Sequence, residues 1–358
     1  MKLLYVSTNP FPSRYANTVN TIKMCQAFEA SGVKVELVCM SSKKPKDIFD
    51  FYGVNPFSLK IIPETSKFNY LFRLFLLFVL KKKGLISLYT RSPVIAGLGL
   101  FFFDNIAYES HLIPSDFMNS IAERFILGKS KIKLICISNI LKQDYLELYP
   151  KRKLDILVAH DGADLNHKLN EIRPSVRTLG YIGQLYKGKG IDVALNLAKL
   201  CPHFEFIILG GTEQEILDLK SQHGELPNVT FKGHVPHSEI PTWASSFDIA
   251  LAPLQKKNII SDGKTDIGRW TSPLKIFEYI AMGIPMISSD LDVIREIVKS
   301  GTEAYLCSPD DLTSWLKALE ELKPQEIRKK MSESAYERLK TEFTWTIRAN
   351  NIIAFIKR

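Results

Sequence analysis

The feature that most constrains this chain is a strand–helix alternation that runs through its first half and then starts again. Short apolar runs at Leu3–Ser7, Lys34–Met40, Ile86–Thr90, Ile106–Ser110, Lys133–Ser138 and Asp155–His160 read as buried strands, with helical stretches such as Thr18–Ala30 and Asn139–Leu148 between them. A second series follows at Thr178–Gly183, Phe204–Gly210, Val229–Gly233, Ile249–Leu254, Pro285–Ser289 and Ala304–Cys307. Continuous apolar strands separated by helices belong in parallel sheets covered by helices on both faces. The 358 residues suit two such domains at roughly 150 residues each. The expected fold class is therefore α/β, with two Rossmann-like, doubly wound domains facing each other across a cleft. The pattern breaks at 165–176, which sets the expected domains at 1–168 and 176–340. The chain from Gln325 onward is helical in character, and residues 341–358 are expected to form a helix that packs back toward the first domain.

Several classes are excluded early. The five cysteines, at 25, 39, 136, 201 and 307, form no Cys-x-x-Cys pair, so neither a disulfide framework nor a zinc ribbon is legible. Met1–Ser7 runs directly into Asn9-Pro10-Phe11-Pro12, which reads as a strand and loop rather than a signal peptide. The longest apolar run, Phe68–Leu80, is interrupted by Arg73 and falls short of a bilayer span of about 20 residues. A cytoplasmic protein is expected, with room for a peripheral place at the inner face of the cell membrane.

The net charge of +9 is one-sided. Residues 1–170 carry 23 Lys+Arg against 14 Asp+Glu, whereas residues 171–358 carry 24 of each. Such a surface suits an anionic partner, nucleic acid or anionic membrane, or serves solubility alone. The apolar run ending in Lys81-Lys82-Lys83 makes residues 68–83 a candidate membrane contact, the alternative being a core helix with a solvated lysine tail.

Three glycine- or proline-marked turns of the second half carry the chemistry. In Ser272-Pro273-Leu274-Lys275-Ile276-Phe277-Glu278-Tyr279, the Ser-Pro pair predicts a helix capped by Ser272, ended about 10 residues on by Gly283 and Pro285. Its free N–H groups at Leu274 and Lys275 make an anion site. Glu278 shares a face with Lys275 one turn down. A phosphate at the tip with a hydroxyl pair below would suit a nucleoside diphosphate and its ribose; a plain capped helix with a surface Lys–Glu pair is the bland alternative. Gly183-Gln184-Leu185-Tyr186-Lys187-Gly188-Lys189-Gly190 follows a strand and lets the backbone approach a phosphate closely, as does Gly210-Gly211-Thr212.

These segments resemble a family 4 glycosyltransferase, the retaining GT-B type. Ser272–Pro285 with Ser288–Val298 is similar to its nucleotide-sugar motif, Gly183–Gly190 to its Gly-Arg-Leu-x3-Lys-Gly loop, Ala159–Asp164 to the end of its first domain, Tyr108–His111 to its Tyr-Glu-x-His element, and Ser13–Leu37 to the opening of one bacterial branch. The resemblance implies a UDP- or GDP-sugar donor held mainly by the second domain. It also implies a lipid-linked or polysaccharide acceptor of bacterial surface glycan synthesis, such as lipopolysaccharide, held mainly by the first domain. No metal and no nucleic acid are expected. Position by position it assigns Lys189 to the diphosphate, Glu278 to the ribose, His111 to the donor sugar and reacting centre, His234 to the base and Asn17 to the donor phosphates. Gly183, Gln184, Gly210, Gly211, Ser272, Leu274 and Lys275 complete the expected donor site; His111, Lys189 and Glu278 are its catalytic set.

Two positions depart from the family. Its Glu-x7-Glu pattern would place an acid at 270, where this chain has Trp270, with Asp262 and Asp266 as nearby substitutes. Gln184 stands where the family often has Arg, which shifts weight to Lys189, Lys275 and Lys187. Asp290-Leu291-Asp292 reads as a loop or helix cap, His234-x-x-His237 as surface histidines, Gly97-Leu98-Gly99 as packing, and no Gly-x-Ser-x-Gly elbow is present. Other readings are an epimerase or hydrolase of the same fold, an inactive transferase, or a basic nucleic-acid-binding protein.

Overall fold

The computed structural model describes residues 1–13, 15–62, 87–165, 169–259 and 265–358. The chain divides into two compact units. Met1–Asp161 and Trp345–Arg358 form the first, and Gly162–Thr344 the second.

The first unit is built on β1 (Lys2–Pro10), β2 (Lys34–Met40), β3 (Ser58–Ile62), β4 (Ser87–Thr90), β5 (Asn105–Ser110), β6 (Ile132–Cys136) and β7 (Ile156–Val158). All pair in parallel, in the order β3-β2-β1-β4-β5-β6-β7. The helices are α1 (Ala16–Ala30), α2 (Pro45–Tyr52), α3 (Pro93–Gly99), α4 (Phe117–Ile126) and α5 (Asn139–Leu148). Leu3, Leu4, Tyr5, Leu88, Tyr89, Ile106 and Ala107 are buried, which explains the unbroken apolar strands seen in the sequence. β3 was not among the expected strands: at the sheet edge, Ser58–Ile61 is only partly covered and carries too weak an apolar signature. The Gly97-Leu98-Gly99 stretch does pack, since a Cβ on Gly99 would lie 2.4 Å from Leu88.

The second unit repeats the plan with β8 (Thr178–Ile182), β9 (Glu205–Leu209), β10 (Val229–Gly233), β11 (Ile249–Ala252), β12 (Met286–Ser289) and β13 (Tyr305–Cys307). These too are all parallel, in the order β10-β9-β8-β11-β12-β13. Around them lie α6 (Ile191–Leu200), α7 (Glu213–His223), α8 (Ile240–Ala244), α9 (Leu274–Ala281), α10 (Asp292–Arg295), α11 (Leu312–Glu321) and α12 (Gln325–Glu342). Leu179, Phe206, Ile208, Leu251 and Ile287 of the sheet, with Leu195 of α6 and Trp315 of α11, form one core. The last helix, α13 (Trp345–Ile356), belongs to the first unit, where it packs on α1. Among the described residues no helix is long and apolar enough to cross a membrane. The candidate membrane contact at 68–83 lies outside the described residues, as does Ile86 of the expected fourth strand.

Each sheet reverses its strand order once, between β1 and β4 and between β8 and β11. Ligands of open parallel sheets bind beyond the carboxyl ends of the strands at such reversals. In the second unit the backbones there are in close contact: Gly190 has φ +78°, and a Cβ on it would stand 1.5 Å from the Pro253 carbonyl oxygen. Gly190→Ala is therefore expected to destabilise the second unit by about 3 kcal/mol, read as a lowered urea midpoint; a midpoint within error of wild type would refute this close approach.

Candidate functional site

At the second unit's reversal, one hydroxyl holds the elements together. Tyr279, buried on α9, accepts from the Ile182 N–H at 2.8 Å and donates to the Leu251 carbonyl at 3.3 Å, joining the ends of β8 and β11. The loop after β8 is braced in the same manner by Tyr181, whose hydroxyl donates to the Gln184 carbonyl at 2.8 Å and the Lys189 carbonyl at 3.1 Å. Gly183 N–H donates to Leu209 O, and Gly210 N–H to Gly233 O, so the turns after β8, β9 and β10 are laced together. A Cβ on Gly210 would sit 1.9 Å from Gly183 O, and one on Gly211 2.3 Å from Leu185. Only glycine fits either place. Thr212 then caps α7 with Glu215 in a reciprocal capping box.

The tip of α9 differs from the expected one. Pro273, with φ −81° and ψ 110°, is still extended, so the helix starts at Leu274, spans eight residues, and has no side-chain cap. Ser272 and Pro273 thus each stand one place further out than expected. The first turn is left open to an anion. Beside it, the Lys275 ammonium is buried, has no hydrogen-bond partner, and stands 4.1 Å from the centre of the Tyr181 ring. A Cβ on Gly183 would lie 2.7 Å from its Nζ, which places the cation against the first residue of the β8 loop. Burial, and then the neighbouring Lys189, push Lys275 down to about 7. Burial also pushes Lys189 down to about 8; its Nζ stands over the Tyr186 ring.

Glu278 does not pair with Lys275. Its Oε1 instead lies 2.8 Å from His237 Nε2, so His237 joins the candidate site, although the sequence reading set it aside as a surface histidine. Only the Gly233-to-Pro236 turn after β10, which swings His237 toward α9, reveals it. His234 is exposed on that turn. Asp266 braces a loop, accepting from the Asn258 and Gly268 N–H groups, and Asp262 lies outside the described residues. Asp290 is bound by Arg295 at 2.6 Å in the loop, while Asp292 is the first residue of α10, whose N-cap is Leu291 with no side-chain cap, so the segment is a loop and helix start rather than an Asp cap.

In the first unit, Glu109 at the end of β5 is fully buried and receives hydrogen bonds from Tyr89, His111 and, at 3.0 Å, Arg348 of α13. Arg348 also donates to the His160 carbonyl at 2.8 Å and faces Asp161, to which Asn20 donates. Burial opposes a charged Glu109, but Arg348 and then His111 outweigh it and hold the carboxyl well below its usual range. Burial, then Arg91, pushes His111 down, so its imidazole is neutral near pH 7. Asn17 presents a buried, unpartnered Oδ1 on the first turn of α1, while its carbonyl accepts from Arg91 and Thr21.

Residues 176–323 match the family described as Glycosyl transferases group 1. That match covers most of the second unit. The whole chain has the GT-B fold: it superposes on a sucrose-phosphate synthase from Thermosynechococcus elongatus with a TM-score of 0.76 at 16% identity, over 99% of this chain and 98% of that one. It superposes likewise on an Anabaena protein in complex with UDP-glucose, with a TM-score of 0.74 at 14% identity, over 100% and 99% of the two chains. A curated relative, the glycogen synthase of Mycobacterium tuberculosis, is 24% identical over 229 residues, 61% of this chain. The chain spans about half the length of the curated relatives it matches first, 52%.

The second unit brings Gly183, Gln184, Lys189, Gly210, Gly211, Leu274, Lys275 and Glu278 to the carboxyl-end loops and to the helix packed on them, whereas Asn17 and His111 stand on the first unit. Two outcomes follow. Arg348→Met leaves Glu109 buried without its cation and is expected to cost about 3–5 kcal/mol in urea unfolding. For Lys275, the folded-state value lies far below the ordinary lysine value of about 10.4, so between pH 7 and 10 the unfolded chain holds the proton and the folded chain releases it. Ligand-free stability should therefore gain from Lys275 as pH rises through that window. In Lys275→Met the gain disappears and the melting temperature at pH 7 rises, while protection by inorganic pyrophosphate is lost. A variant that melts lower and keeps that protection would remove Lys275 from the anion site.

Proposed function

We propose that the chain is a retaining glycosyltransferase that moves a hexosyl group from a UDP- or GDP-sugar to a lipid-linked or growing glycan. The observation that carries the reading is the Lys275 ammonium, out of water, unpartnered and lodged between an uncapped helix tip and the Gly183 turn. A buried cation without a counter-ion is costly. A diphosphate at the helix tip removes that cost and neutralises Lys189 too. Lys275 also supplies the cation that Gln184 does not. Glu278, oriented by His237, accepts from the ribose hydroxyls, and the turn around His234 flanks the base. That the Anabaena protein of like fold binds UDP-glucose favours uridine as the base.

In the reaction, the bond between the anomeric carbon and the diphosphate oxygen breaks as the acceptor oxygen bonds to that carbon from the same face. The acceptor's proton passes to the departing diphosphate. Catalysis lies in stabilising the charge that develops on that oxygen, with the helix N–H groups and the two lysines as preorganised donors. Of the first unit's residues, His111, neutral and held by Glu109, is suited to hydrogen-bond a sugar hydroxyl without adding charge, and Asn17 Oδ1 is a further polar atom without a hydrogen-bond partner.

The test is nucleoside diphosphate release from UDP-, GDP-, ADP- and dTDP-sugars, with and without a bacterial lipid extract. Release from one donor that rises with extract is the expected outcome; release indifferent to any acceptor would make the protein a hydrolase. Glu278→Ala should raise the donor KM at least about tenfold, as loss of charge-assisted hydrogen bonds implies. Unchanged donor kinetics would take Glu278 out of the site.

A further inference from the structure

Helix α4 is turned inside out. It buries its one acid, Glu123, to 1% exposure, and presents to solvent Phe117 at 77%, Met118 at 59%, Ile121 at 51% and Phe125 at 54%. Positions 117, 118, 121 and 125 share one side of a helix. Phe101, 73% exposed, follows the end of α3, and α3 packs directly on α4, with Ile126 at 3.5 Å from a Cβ built on Gly97.

The inner side fixes this orientation. Tyr145 donates to the two carboxyl oxygens of Glu123 at 2.7 and 2.9 Å, and Tyr108 reaches it at 3.5 Å. Rolling α4 to hide its aromatic rings would break these bonds and bring a buried carboxyl to the surface. The outward apolar face is thus held in place by hydrogen bonding beneath it.

The charges free to meet a ligand around that face are cationic. Arg124 is the exposed charge within α4, and Lys129 stands 5.2 Å from the centre of the Phe125 ring. The nearby acids are engaged: Asp116 caps the helix through the Asn119 N–H, and Asp104 pairs with Lys131. Rings that seek hydrocarbon, rimmed by cations that seek phosphate, complement the interface of an anionic bilayer. A protein partner would cover the rings equally well but gives no reason for a rim whose acids, Asp104 and Asp116, are already engaged while Arg124 and Lys129 stand outward.

We propose that the face made by α4 and Phe101 docks the chain on an anionic phospholipid surface. This deepens the preceding reading, because it gives a lipid-held acceptor a place of encounter on the first unit. The experiment is co-sedimentation of the full chain with phosphatidylglycerol–phosphatidylcholine vesicles and with pure phosphatidylcholine, without donor sugar, so a failure here and a failure of the transferase reading are separable. The wild-type chain should bind the anionic vesicles at least about tenfold more tightly than the neutral ones. Phe117→Ser with Phe125→Ser, and separately Arg124→Glu with Lys129→Glu, should each weaken binding about tenfold or more at unchanged melting temperature. No binding by the wild-type chain would overturn the proposal. So would variants that bind as wild type, which would put the contact elsewhere, residues 68–83 included. A concentration-dependent dimer lost in Phe117→Ser with Phe125→Ser would overturn it too, by assigning the face to a second copy.

Discussion

The hydroxyl of Tyr279 is the contact on which the second unit's site depends. A parallel sheet that reverses its strand order leaves a gap at the reversal, where the chain ends of two strands diverge. Tyr279 fills that gap with an oxygen that accepts from β8 and donates to β11, and because it sits on α9 it fixes the helix to both. The open tip of α9, the Lys275 ammonium and the Glu278 carboxylate are placed by this attachment. Tyr181 does the corresponding work for the β8 loop, closing it through two carbonyls and offering its ring to Lys275.

The two units treat buried charge in opposite ways. In the first, Glu109 is surrounded by Tyr89, His111 and Arg348, so its charge is fully answered within the fold and the cluster serves to orient His111. In the second, the Lys275 ammonium is buried without a hydrogen-bond partner; Lys189 raises the cost more than the charge of Glu278 lowers it. Satisfied clusters rigidify; an unsatisfied one stores free energy that only a ligand releases. Stability and donor binding are therefore expected to oppose each other at Lys275, which is the ordinary signature of a binding residue rather than a structural one.

Much of this was legible beforehand, for reasons that can be named. The strands were readable because both sheet faces are covered, so they are apolar throughout; β3, at an edge, was not. The turns at 183–190 and 210–212 were readable because a backbone that approaches within 2 Å of where a Cβ would stand admits glycine alone. The cap of α9 was misplaced by one residue because Ser-Pro is compatible with either register until ψ of Pro273 is known. His237 was set aside because the His234-x-x-His237 spacing, which could suit a metal pair, lacked a third ligand, and its actual partner, Glu278, is 41 residues away.

The sequence by itself determined the kind and order of elements, the doubled parallel architecture, and the glycine- and proline-marked turns of the candidate anion site. Those follow from local periodicity and from residues such as glycine and proline whose backbone demands are independent of context. Tertiary structure alone decided which side chains meet: Glu278 with His237 rather than Lys275, Glu109 with Arg348 across 239 residues, and α4 with its acid inward and its rings outward. Charge pairing and burial depend on distances between remote parts of the chain, and these distances exist only once the sheets have formed.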